Sequence, residues 1–293
     1  MSDGRDFVGY GAAPPDPRWP GGARVAVSLV LNIEEGAELS LSSGDERNES
    51  EHELDQELVG HRDHLLESHF EYGPRAGWWR VARLLERHGA TATVNACARA
   101  LERTPWLGRD AVARGYEVMC HGWRWEDQHH LGIDEERALI ARCVASIERT
   151  CGERPVGWYV RSHPSENTRH LLAEEGGFVH DSNAYNDDLP YLADVPGHPL
   201  VVVPYSLDTN DMRFFPGRGF GTADDFATYC GNAFDWLHDE GGRMMTIGLH
   251  PRIIGRPGRI AGLDRFLTHL RERGGAWIAR RDEIARHWLA SST

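Results

Sequence analysis

The run Arg24-Val-Ala-Val-Ser-Leu-Val-Leu-Asn32 is apolar and largely β-branched almost without interruption. A strand with one wet face alternates apolar and polar residues. This run has no polar face, so it reads as a strand covered on both sides within a parallel sheet. Similar short apolar runs recur at 92–97, 117–121, 157–160, 178–181, 201–205, 244–249 and near Trp277. Between them lie segments of helical spacing: 77–88 stopped by Gly89, 106–114 stopped by Gly115, 134–150, 167–175 stopped by Gly176, 222–240, 259–273 and a terminal helix. About seven or eight such alternations with no linker between halves predict an α/β fold, a closed (β/α) barrel forming one domain over 24–293. An open doubly wound sheet is the alternative, but neither G-x-G-x-x-G nor a P-loop supports a nucleotide site.

Two segments fall outside the rhythm. Residues 1–23, rich in Gly and Pro, predict an extended N-terminal arm whose Tyr10 and Trp19 pack either on a neighbouring subunit or on the arm's own domain. The polar stretch at about 33–73 is far longer than an ordinary connection. Such an insertion is either functional, here as a cover for the site, or disordered.

Composition removes several function classes. A net charge of −13 with no basic block argues against nucleic acid. All 32 basic residues are arginine, which excludes Schiff-base and lysine general-base chemistry. The five cysteines show no C-x-x-C spacing, the N-terminus lacks an apolar leader, and no apolar run reaches the ~18 residues of a membrane span. A cytoplasmic protein with reduced thiols and no membrane partner is the expectation.

In a barrel the chemistry sits where strands end, and here the strands end in polar groups. The first gives Asn32, Glu34 and Glu35, the third His121, the fourth Arg161 and the fifth Asp181. The segment after the sixth gives Asp208, Asn210 and Asp211, and the seventh His250. The third strand opens into Glu117-Val-Met-Cys-His-Gly-Trp-Arg-Trp-Glu-Asp127. A second histidine four residues after His121 would suggest a metal site, but that place is held by Trp125, which cannot ligate. The histidines at 61, 64, 69, 129 and 130 read as ordinary polar loop residues.

These strand-end residues resemble the polysaccharide deacetylase (NodB-homology) superfamily. Its paired acids match Glu34-Glu35-Gly36, its H-x-x-x-H motif matches 121–125 with tryptophan in place of the second histidine, its arginine matches Arg161, and its late L-x-H motif matches Leu249-His250. A fourth motif corresponds to Asp208-Thr-Asn-Asp211. Within the superfamily the chain is most similar to the PuuE-type cofactor-independent allantoinases and cyclic-imide hydrolases, through His121-Gly-Trp-Arg-Trp125, Ala184-Tyr-Asn-Asp-Asp-Leu-Pro190 and Leu207-Asp-Thr-Asn-Asp-Met-Arg213. The loop Arg161-Ser-His-Pro-Ser-Glu-Asn-Thr-Arg169 departs from that subgroup by its length. The resemblance implies a distorted (β/α) barrel, hydrolysis of an amide-type, non-peptide C–N bond, and a homo-oligomer, dimer or tetramer. The implied substrate is a small cyclic amide, imide or ureide such as allantoin. No cofactor is expected. If a zinc-like ion binds, its ligands would be Glu35 and His121, with Glu126 in place of the missing histidine. The alternative function is a metal-dependent polysaccharide or peptidoglycan N-deacetylase.

Amide hydrolysis needs a base for water, donors for the oxyanion and a proton for the leaving nitrogen. Glu34 or Glu35 is the expected base, Arg161 and His121 the oxyanion donors, and His250 the general acid, with Asp181 holding Arg161 or His250. Trp123 and Trp125 would wall the substrate and Arg124 would reach a carbonyl, joined by Asp208, Asn210 and Asp211.

Overall fold

In the computed structural model, which describes residues 5–54 and 56–291, β1 (Val25–Ile33) is buried along its whole length. The reading of an unbroken apolar strand as a central parallel one therefore holds. The chain continues through α1 (His64–Tyr72), a wide turn at Gly73–Gly77 and α2 (Trp78–His88) to β2 (Thr93–Ala96). Next come α3 (Ala98–Arg103), α4 (Pro105–Ala113), β3 (Glu117–Cys120), α5 (Ile133–Cys151), β4 (Gly157–Trp158), α6 (Thr168–Glu175) and β5 (His180–Asp181). A small excursion, β6 (Tyr191–Leu192) and β7 (Val201–Val202), leads to α7 (Ala223–Glu240), β8 (Arg243–Leu249), α8 (Pro257–Arg273), β9 (Ala276–Ile278) and α9 (Arg281–Ser291).

Among the described residues the strands form one curled sheet in the order β6-β7-β5-β4-β3-β2-β1-β8, with β9 on β1. Every pairing is parallel except β6 with β7. The fold is thus the distorted barrel expected, but it is not closed by a ladder: β7 and β8 do not pair, and the seam is crossed by one β-bridge from Asn210 to Gly248 and by hydroxyl bonds from Thr246 to Pro204 O (3.0 Å) and from Thr209 to Thr246 O. The remaining gap is filled by Arg281 at the start of α9. Its guanidinium donates to the carbonyls of Val203 and Pro204 on one side and to Thr246 Oγ1 (2.9 Å) on the other, while Nε donates to Ser182 Oγ (2.9 Å). The expectation of a closed barrel is thereby corrected: strand ends in a sequence do not say whether the first and last strands meet.

The arm lies on its own domain. Trp19 is buried, donates its indole N–H to Arg243 O (2.8 Å) and packs with Ile284 and Trp288, while Tyr10 donates to Pro190 O (2.6 Å). The long insertion is ordered by its polar groups. Buried Asn48 donates to Leu58 O and His61 O, and Asp63 caps α1 by accepting from Leu66 N at 2.9 Å. α1 and α3 have no counterpart in the sequence reading: α1 lies inside the polar stretch read as an insertion, and α3, six residues long, is too short to display a full amphipathic stripe. All five cysteines are buried and unpaired, and no helix among the described residues is long and apolar enough to cross a membrane.

Candidate active site

The C-terminal ends of β1, β3, β4 and β8 bring Glu34, His121, Arg161 and His250 to one cavity of about 380 Å³, which Trp125, Tyr159 and Tyr205 also line. Glu34 lies at its floor, 1 % exposed. Its Oε1 is 3.3 Å from His121 Nε2 and 3.3 Å from His250 Nε2, and its Oε2 is 2.6 Å from Arg252 Nη2. Burial by itself would raise the Glu34 pKa. The charges of Arg252 and His250 and the two imidazole contacts outweigh it and hold the group well below the usual carboxylate range.

Glu35, the next residue, faces away from this cavity toward a second hollow lined by Glu38 and Phe70. It folds back so that its Oε2 accepts from Glu34 N (3.1 Å), and its Oε1 is 3.6 Å from Arg252 Nη1. The close approach of its carboxylate to the backbone of Gly73 leaves no room there for a Cβ. Burial, reinforced by the Glu34 charge and opposed by Arg252, pushes Glu35 up to about 7. Two adjacent acids therefore differ in ionisation, Glu34 charged and Glu35 poised near neutrality.

Sequence reasoning missed Arg252, as it missed Glu49 and the cavity tyrosines Tyr159 and Tyr205. Arg252 follows the L-x-H motif by two positions, is fully buried, and stacks over Phe70 (4.6 Å) and Trp125 (5.2 Å) while pairing with both acids. The available signal was Leu249-His250-Pro251-Arg252, a cation in the turn immediately beyond a functional strand end.

His250 is held by Asp211, whose Oδ1 is 2.6 Å from Nδ1 and whose Oδ2 accepts from the backbone N–H of His250 (2.7 Å) and Ile254 (3.1 Å). Burial would lower the His250 pKa, but the Glu34 and Asp211 charges and their hydrogen bonds raise it to about 9. His121 Nδ1 meets the Tyr159 carbonyl at 2.5 Å, and its ring stacks on Tyr159, which stacks in turn on Tyr205. Asn32 Nδ2 donates to the Tyr205 hydroxyl at 3.0 Å, and Asn210 Nδ2 lies 3.3 Å from the same oxygen. Arg161 is clamped by Glu49 of the insertion (2.7 and 3.1 Å) and lies 4.0 Å over Trp125. The insertion thus covers the site as expected, through a buried carboxylate.

Several sequence expectations are corrected. Asp181 holds neither Arg161 nor His250; it is fully buried and pairs with Arg169 (2.8 Å), because Arg161 is taken by Glu49 and His250 by Asp211. Arg124 points away from the cavity and binds Asp45 and the carbonyls of Ala37 and Glu38, fastening the insertion. Trp123 lies outside the cavity with Arg142 3.4 Å over its ring, whereas Trp125 lines the cavity with Arg161 and Arg252 over its own. Asp208 is exposed and bonds Arg213 and Tyr229. Asp211 is a positioning residue for His250, with no surface toward substrate. The contingent metal set is not assembled: Glu34, not Glu35, meets His121, and Glu126 lines a separate surface hollow.

Comparison with known proteins agrees with this geometry. The sequence profile of the family described as polysaccharide deacetylase matches residues 60–176. A Schizosaccharomyces pombe protein carrying the provisional name polysaccharide deacetylase is 37% identical over 99% of this chain and 98% of its own. The crystal structure of Puue allantoinase superposes with a TM-score of 0.94 at 44% identity, covering 99% of this chain and 98% of that one. A Pseudomonas aeruginosa PAO1 protein, also provisionally assigned as a polysaccharide deacetylase, does so with a TM-score of 0.93 at 44% identity, covering 98% of both.

Proposed function

The chain belongs to the polysaccharide deacetylase family, and on that premise we propose that it hydrolyses the C–N bond of a small cyclic amide, imide or ureide with its own side chains as acid and base. The observation that carries this reading is Arg252, a buried cation 2.6 Å from Glu34 in a site where Trp125 stands in place of the family's second histidine. The donor set does not fit a divalent ion. Glu34 Oε1 meets His121 and His250 at 3.3 Å each, but Arg252 already neutralises the carboxylate, Asp211 and Glu34 keep His250 protonated, and Glu35 faces another hollow, so the group does not offer three free ligands.

The ring of the substrate lies in the cavity lined by Trp125, Tyr159 and Arg161, with its carbonyl carbon over Glu34. Ionised Glu34 takes a proton from water as the oxygen bonds to that carbon, and His121 Nε2 and Arg161 face the developing oxyanion. The C–N bond then breaks as His250 Nε2 gives its proton to the leaving nitrogen. Glu34 Oε1, 3.3 Å from His250 Nε2, then passes the proton taken from water to that imidazole and restores the resting state. Asp211 keeps the imidazole charged and aimed. A cavity of about 380 Å³ is of small-molecule size, and the similarity to an allantoinase supports a ureide or imide ring.

The names of two relatives favour a second reading, N-deacetylation of an amino-sugar polymer. A hydrolysis screen separates the two: allantoin, hydantoin, succinimide and N-acetylglucosamine oligomers, each with and without chelator. Ring opening that survives chelation is the expected result. Acetate release from the oligomers alone, restored only by added metal, would overturn the proposal.

A further inference from the structure

We propose that Asp127, His129 and His163 form a binding site for a zinc-class divalent cation on the rim of the cavity, apart from the catalytic groups. The three side chains come from two loops: Asp127 and His129 follow β3, and His163 follows β4. One ligand atom from each lies within 4.8 Å of the others. The carboxylate already draws in one imidazole, with Asp127 Oδ1 3.1 Å from His163 Nδ1, and the rings of His129 and His163 meet edge to face with centroids 5.9 Å apart.

The backbone is shaped for this meeting. Ser162 adopts a left-handed conformation (φ 48°), which is uncommon for a residue with a side chain, and His163 N donates back to Arg161 O at 2.6 Å. Gln128 N donates to His163 O at 2.9 Å, tying the two loops together beside the candidate ligands. Strain of this kind persists where the surroundings specify it.

Two imidazoles and one carboxylate with a fourth position open to solvent suit zinc and its late first-row neighbours. Magnesium and calcium, which take oxygen ligands, are disfavoured. Both histidines are exposed, so their side chains can rotate through the short distance needed to reach zinc bonds of about 2 Å. An occupied site would pin the loop after β3 to the loop after β4 next to Arg161. It would also give the protein a chelator-sensitive property unrelated to bond hydrolysis.

The test is calorimetric titration of the metal-free full chain with Zn²⁺ alone, with Mg²⁺ as the control, on wild type, His129→Ala and Asp127→Asn. Wild type is expected to bind one Zn²⁺ and to unfold at a higher temperature with it. Each variant should bind on the order of tenfold more weakly or worse, with unchanged circular dichroism and unchanged chelated activity. Undiminished Zn²⁺ affinity in both variants, or affinity lost instead in Glu34→Gln, would overturn the site. Neither result bears on which bond the enzyme cleaves, which the chelated hydrolysis screen decides separately.

Discussion

Arg252 Nη2 lies 2.6 Å from Glu34 Oε2, with side-chain exposures of 0% and 2%. A carboxylate so deeply buried would ordinarily take up a proton; the guanidinium keeps it ionised and hence able to accept one from water. Removing one partner of a buried pair leaves an uncompensated charge, which typically costs about 3–5 kcal/mol. Because the same cation keeps the base ionised, Arg252→Met should also lower kcat/KM by roughly a hundredfold or more, the range for loss of a general base. With the cation gone the Glu34 pKa rises, so the acid limb of the kcat/KM profile should move to higher pH. Arg252→Lys should rescue little, since a point charge cannot face both acids and stack on Phe70 and Trp125 together. A pH profile of Arg252→Met that superimposes on wild type would remove Glu34 as the base.

The adjacent acids should separate cleanly by mutation. Glu34→Gln is expected to lower kcat by about 10²–10⁴-fold, the range for a general base, whereas Glu35→Gln should stay within about tenfold of wild type on the same principle. Stability provides the second readout. The folded pKa of Glu35, about 7, lies above its unfolded value. Its contribution is therefore fully present below the ordinary carboxylate range and is lost as pH rises through 7. Between pH 5 and pH 8 the Glu35→Gln protein should lose less stability than wild type in thermal unfolding.

His250 must carry its proton to serve as the acid. With a pKa raised to about 9, hydrolysis should fall as pH climbs through 9. The stabilisation from its contacts with Glu34 and Asp211 is complete below about 6.5, the unfolded value, and disappears over the same rise. Asp211→Asn removes one of the two charges that raise the pKa, so the basic limb of the kcat profile should shift to lower pH and kcat should drop. A fall in kcat with an unmoved basic limb would mean that Asp211 supports only the loop.

How much of this is legible in the sequence depends on the kind of contact. Buried strands announce themselves because a segment such as 24–32 has no polar face, and Glu34, His121, Arg161 and His250 follow from asking what each strand ends in. Arg252 does not, because it lies in a turn beyond the strand, where the sequence gives no direction to a side chain. Arg124, Asp181 and Asp208 are misplaced for the complementary reason: a polar residue beside a strand end can equally well fasten a loop. Arg213 meets Asp208 from only five residues on, where a local turn decides the contact, whereas Asp45 reaches Arg124 from the insertion and Arg169 reaches Asp181 from α6. The same holds for Glu49, whose role needs the path of that insertion over Arg161.

The open seam gives a prediction about the fold itself. Where β7 and β8 fail to pair, their backbone and side-chain acceptors have no ladder, and Arg281 supplies the donors: to Val203 O, Pro204 O, Thr246 Oγ1 and Ser182 Oγ. Burial pulls its pKa down to about 10, so the guanidinium remains charged at neutral pH and every one of those acceptors meets a cation. Arg281→Met would fill much of the same volume but take from Val203 O its buried donor, while Pro204 O keeps the Thr246 hydroxyl at 3.0 Å. The variant should be destabilised by about 1–3 kcal/mol, the cost of one orphaned buried acceptor, read as a lower urea midpoint. Because the seam lies beneath the Tyr205 stack, exchange of the backbone amides around Tyr205 and Gly248 should quicken before the rest of the barrel. An unchanged urea midpoint would mean that the bridge from Asn210 to Gly248 and the packing of α9 hold the two edges without the arginine.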